Sequence, residues 1–153
     1  MLTVGKTTQK YIREGIDEYL KRLKRYIPYR IVSIPDIRTS RAITPELQKI
    51  KEGEAILDFL SPSDHCILLD EHGKEDTSSD FASALEKIMA SGKKRAVFVV
   101  GGPYGFSENV YSRADAKVSI SRMTFTHEMV RLFFTEQVYR AMTILRGEPY
   151  HHE

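Results

Sequence analysis

The chain has 153 residues, 41% of them hydrophobic, which suits one domain built round a single core. Its 23 basic and 21 acidic residues leave a formal charge of +2, too small to mark a general polyanion binder. No run of about 18 apolar residues occurs and the first residues lack the charged-then-apolar order of a signal peptide; a single soluble, cytoplasmic domain over 1–153 is therefore expected.

Leu2-Thr3-Val4 reads as a short strand. Ile12, Ile16, Leu20, Leu23 and Ile27 then recur at the spacing of one helix face, predicting a helix from about Gln9 to Tyr26 that Pro28 ends. Lys21, Arg22, Lys24, Arg25 and Arg30 cluster there with Tyr26 and Tyr29, a combination that suits a phosphate backbone and equally a solvated helix face. Arg30 to Ile34 reads as a strand. Thr44-Pro45-Glu46 opens a second helix, with Leu47, Ile50, Leu57 and Leu60 as its buried stripe, Gly53 as a point of close packing and Ser61-Pro62 as its stop. Cys66 to Asp70 is a continuous apolar run, as in a strand buried on both faces, with Gly73 as the turn after it. Cys66, the one cysteine, is read as a small buried hydrophobe.

Ser78 or Ser79 can cap a helix carrying Phe81, Leu85, Ile88 and Met89, which Gly92 closes in a left-handed conformation. Ala96 to Val100 is a second buried strand, followed by the loop Gly101-Gly102-Pro103-Tyr104-Gly105, a short helix capped by Ser107, and a strand near Lys117 to Ile120. The last helix is expected from about His127 to Arg146, stopped by Gly147 and Pro149. Strands alternating with helices predict an α/β fold with a mostly parallel sheet flanked by helices, which binds ligands at the carboxyl ends of its strands. Apolar residues surround much of the last helix, which predicts a homodimer through it.

Two motif fragments lead nowhere. Gly5-Lys6-Thr7 lacks the upstream glycine and loop of a nucleoside-triphosphate site, and His127-Glu128 is followed by Arg131 where a second zinc-binding His would stand, so no metal is expected. The glycine loop lacks dinucleotide-binding spacing, yet three strand ends converge with it: Leu69-Asp70-Glu71, the loop itself, and Ser119 to Phe125. Such an arrangement can wrap a small ligand or be no more than a set of tight turns.

Asp70-Glu71-His72-Gly73-Lys74, Phe98 to Gly105, Ser121-Arg122-Met123-Thr124-Phe125-Thr126-His127, Glu136-Gln137-Val138-Tyr139-Arg140-Ala141 and the closing Pro149-Tyr150-His151 together resemble the RlmH family of SPOUT methyltransferases. The match runs through the chain in order, departing only in a first strand a few residues shorter than usual. The resemblance implies a C-terminal trefoil knot, an exception to the rule against threaded chains. It implies S-adenosyl-L-methionine bound by Leu69, Gly101, Ile120, Ser121, Arg122, Met123, Thr124 and Phe125, with Gly101 leaving room where a Cβ would collide with the ligand. It further implies methylation at N3 of a pseudouridine in large-subunit (23S) ribosomal RNA, on or near the assembled ribosome. His151, Tyr150 and Arg140 are the candidate catalytic groups, with His127 in reserve. A ribosome-binding or assembly factor without turnover, and a nucleotide-binding module, are the alternative readings.

Overall fold

Alternating burial along the strands accounts for the layering in the computed structural model, which describes residues 1–37 and 43–152. The strands are β1 Leu2–Val4, β2 Val32–Ile34, β3 His65–Glu75, β4 Ala96–Val100 and β5 Ala116–Ser119; the helices are α1 Lys10–Leu23, α2 Pro45–Phe59, α3 Ser78–Ala90, α4 Glu108–Arg113 and α5 His127–Leu145. All strand pairs are parallel, in the order β2-β1-β4-β3-β5. The pleat sends alternate side chains to opposite faces. Leu2, Val4, Cys66, Leu68, Val97 and Val99 meet Ile56 of α2 and Val110 of α4 on one side. Ile67, Leu69, Phe98 and Val100 meet Leu23 of α1, Phe81 of α3 and Phe134 of α5 on the other. Phe98 and Phe134, with centroids 4.7 Å apart, both touch Phe81, which locks α3, β4 and α5 together.

Three helices begin on a threonine whose hydroxyl accepts a main-chain N–H one turn on: Thr44 from Leu47, Thr77 from Asp80 and Thr126 from Met129. Thr77, rather than Ser78 or Ser79, is thus the cap of α3. The first helix stops at Leu23, before Tyr26, and the following strand is confined to Val32–Ile34.

Two expectations need larger correction. Gly73 lies within β3, an 11-residue strand, rather than in a turn after it. A Cβ there would stand 2.5 Å from the carbonyl carbon of Val118 and 2.8 Å from the nitrogen of Ser119, so the glycine permits one backbone to lie on another. In α2 the expected stripe faces outward at Leu47 and Ile50; the buried face is Glu52, Gly53 and Ile56. Contact between Gly53 and Ser107 sets that orientation, because a side chain at 53 would collide with the Ser107 hydroxyl.

Helix α5 packs against both α1 and α3 and reaches β4. Gly15 of α1 accepts Leu132 so closely that a Cβ would stand 2.9 Å from the Leu132 side chain. Much of the apolar circumference read as a dimer surface is therefore covered within the chain. With β5 beyond β3 and α5 returned under β4, the order is consistent with the implied knot.

Candidate active site

Register brings the carboxyl ends of β4 and β5 level with the middle of β3: Leu69 pairs with Val100 on one side and with Val118 on the other. Beyond that level lie the rest of β3, the glycine loop after Val100, and residues 120–126. Beside them is a cleft of about 330 Å³, bounded by Asp76, Thr77 and Ser78 before and at the start of α3, by Val118 to Ser121, and by Phe133, Glu136 and Gln137 of α5. Phe81, Ile120, Phe125 and Phe134 give it apolar walls, and Phe125 is fixed by an edge contact with Phe133 at 5.0 Å. Its size and its mixture of apolar walls with a few polar groups suit an adenosine-sized ligand.

Of the expected cofactor residues, Ile120, Ser121 and Phe125 line this cleft. Leu69 is buried in the sheet beside it, and Met123 stands 74% exposed on the loop. Thr124 is also exposed, and Arg122 reaches back to Glu75 at 3.0 Å, tying the loop to the far part of β3. Gly101 is buried at the end of β4, but its missing side chain faces the chain's own Phe106: a Cβ would stand 3.1 Å from the ring. The contact that a side chain would make there is thus a tight one within the chain.

The expected catalytic groups come together. The tail turns at Gly147, where φ is +64°, and folds back along α5. Tyr150 packs on Tyr139 at 4.7 Å and beneath the Arg140 guanidinium at 4.8 Å. The Tyr26 hydroxyl donates to Glu148 at 2.5 Å, pinning the tail to the end of α1. Arg140 Nη1 lies 3.3 Å from His151 Nδ1. Arginine can only donate, so in this contact Nδ1 is the acceptor and the ring proton belongs on Nε2.

Glu136 organises the group, and sequence reading overlooked its part. It accepts from Arg140 at 2.6 and 3.1 Å, from Tyr150 Oη at 3.1 Å and from Gln137 at 2.7 Å, while it also lines the cleft. Ser78 of α3 holds Gln137 in turn, at 2.8 Å. The hydrogen bond to Glu136 keeps Arg140 cationic, and burial with the neighbouring Tyr19 and Glu136 raises the Tyr150 phenol well above its ordinary pKa. Both remain donors at neutral pH. The usable signal was the spacing of Glu136 and Arg140, an acid and a base four residues apart on one helix.

His127 is elsewhere, at the opposite end of α5, about 20 Å along the helix from Arg140. Burial and the nearby Arg131 lower its pKa. Its neighbours Glu128 and Arg131 are structural: Glu128 accepts from Thr8 and Gln9 at the start of α1, and Arg131 donates to the Val4 carbonyl at 2.6 Å and to Thr7 at 3.0 Å. Among the described residues no cluster of three or more His, Cys, Asp or Glu side chains is arranged to hold a metal ion, and no helix is long and apolar enough to cross a membrane.

A family profile described as "Predicted SPOUT methyltransferase" matches residues 1–151. Proteins named "Ribosomal RNA large subunit methyltransferase H" are similar throughout. The one from Parabacteroides distasonis is 56% identical over 153 residues, all of this chain and 98% of its own. Those from Flavobacterium johnsoniae and Bacteroides fragilis are 54% and 50% identical over the same extent.

Proposed function

Because the chain belongs to the SPOUT methyltransferase family and its relatives carry a large-subunit ribosomal RNA methyltransferase name, we propose that it transfers a methyl group from S-adenosyl-L-methionine to N3 of a pseudouridine in 23S ribosomal RNA, acting in the cytoplasm on the assembled ribosome. The observation that carries this reading is the sharing of Glu136 between the cleft and the tail: one carboxylate borders the ligand space and holds Tyr150 and Arg140.

When bound, the cofactor supplies a methyl group on a cationic sulfonium. Ile120 and Phe125 wall its space and exclude water, and main-chain groups of 120–125 together with those at Leu69 and Gly101 hold its polar edge. On the acceptor side, N3 of the base is an imide whose proton must leave before its electron pair can form the new bond. Arg140 and His151 act as donors that stabilise the imide anion, with the proton passing to solvent, while Tyr150, its hydroxyl given to Glu136, supports the Arg140 guanidinium from beneath. The arginine-to-Nδ1 contact sets the tautomer that makes Nε2 the donor atom of His151. Glu136 is a positioning residue that fixes the donor set.

The reading extends to a homodimer. Met129, Phe133, Glu136 and Arg140 form a half-exposed stripe along α5, and the exposed Phe125 packs against Phe133 within it. A second copy placed there would bury this stripe and border the cleft.

The test is His151→Ala. Methyl transfer to ribosomes should fall on the order of a hundredfold, the usual effect of removing one donor to a developing anion. Cofactor affinity by calorimetry should stay within about twofold. Undiminished transfer would remove the tail from the reaction.

A further inference from the structure

Beneath the glycine loop lies a carboxyl group that the reaction does not use. Glu52 of α2 is 2% exposed. Its Oε1 accepts from Gln48 Nε2 at 2.7 Å, while its Oε2 is buried with no hydrogen-bond partner among the described residues. That oxygen fills the space beside Gly102 that a Cβ would take, and any side chain there would overlap it. The second glycine of the loop therefore admits a carboxylate from below.

A buried acceptor left unmatched costs free energy, and so does a buried negative charge. A main-chain N–H brought to that oxygen would remove the cost. The loop above turns at Gly105, where φ is +77° and a Cβ would meet no atom within 4 Å, and the Gly102–Gly105 pair is joined by a hydrogen bond of 3.3 Å. Loop residues 101–105 carry main-chain N–H groups at every position but Pro103.

The geometry points to Glu52 as a positioning residue for the cofactor site: its free oxygen captures a main-chain N–H of the glycine loop when the loop closes on the methyl donor. This rests on the proposed placement of that donor at the loop. In the open state burial is the main force raising the Glu52 pKa, Gln48 opposes it, and Asp36 beyond β2 adds to it. Opposite Glu52 the loop and Ser107 present no Asp, Glu, Lys or Arg. An arriving N–H favours the ionised form, so closure releases a proton and cofactor binding weakens as pH falls through the raised pKa of the free protein.

The experiment measures S-adenosyl-L-methionine binding by calorimetry between pH 5 and 8, for the wild-type chain and Glu52→Gln, in buffers of different ionisation heat. Wild type should release a proton on binding and bind more weakly at the acid end. Glu52→Gln, similar in shape but without the charge, should bind about tenfold more weakly at pH 8, with a flatter pH profile. Equal affinity and equal pH dependence in the two proteins would overturn the inference. A carboxyl-carbon NMR titration of Glu52 in the wild-type chain does not depend on the variant folding. Its pKa should fall when the donor is added, and an unmoved titration in the bound protein would also overturn the inference. Absence of any binding to wild type would instead refute the cofactor placement on which the inference stands.

Discussion

Glu128 shows how one side chain joins the two ends of the molecule. It opens α5 and accepts three hydrogen bonds from Thr8 and Gln9, where α1 begins without a side-chain cap of its own. Burial alone would raise its pKa; those bonds and Arg131 override it and bring the value to about 2. A carboxyl whose folded pKa lies below its unfolded one contributes stability that is complete above the unfolded value and is lost as pH falls toward the folded value. The expected outcome is a melting temperature that declines from about pH 5 to about pH 2, and less steeply in Glu128→Gln. At neutral pH, denaturant titration of Glu128→Ala should show a loss of about 3 kcal/mol, since it also leaves the buried Arg131 without its counter-charge. Sequence made these residues visible only as a failed zinc motif. His127-Glu128 and Arg131 have a helix spacing that invites a metal reading, while their partners Thr7, Thr8 and Gln9 lie about 120 positions away, where no local pattern connects them.

Elements were legible where a local cause fixes them. The Thr44 cap located α2, and apolar periodicity with the Gly147 stop located α5, each to within about a residue of its ends; α3 was found with its cap placed one or two residues late, and Ala96–Val100 agrees at both ends. The inward face of α2 was not legible, because it is chosen by a contact between Gly53 and Ser107 across the fold rather than by hydrophobic count. Gly73 carries the same lesson: a glycine after an apolar run reads as a turn, and its reason here is the backbone of β5. Two alanine substitutions separate the cases. Gly73→Ala must push a methyl group into the Val118–Ser119 main chain and should cost about 3 kcal/mol or more. Gly92→Ala meets open space and pays only for a left-handed φ of +74°, about 1 kcal/mol. Equal losses in equilibrium unfolding would contradict the close crossing of β3 and β5.

At the scale of the whole molecule, α5 is both a core helix and the carrier of the site. One side meets α1 and α3, and the half-exposed stripe from Met129 to Arg140 is the face proposed for a second copy. Sedimentation should therefore find twice the 17.6 kDa chain mass, and Met129→Glu, at the start of that stripe, should shift the population toward monomer. A wild-type monomer at micromolar concentration would refute the dimer. The tail was legible through its family motif, whereas its anchoring by Glu136 needed the fold to bring Tyr150 and Arg140 to one carboxylate. The central claim, methyl transfer to large-subunit RNA, is tested most directly by supplying S-adenosyl-L-methionine with a labelled methyl group to free ribosomal RNA, separated subunits and whole ribosomes, then mapping the label by mass spectrometry. The account predicts label at N3 of one pseudouridine in 23S RNA, greatest with whole ribosomes. Cofactor binding with no label in any of the three substrates would contradict it.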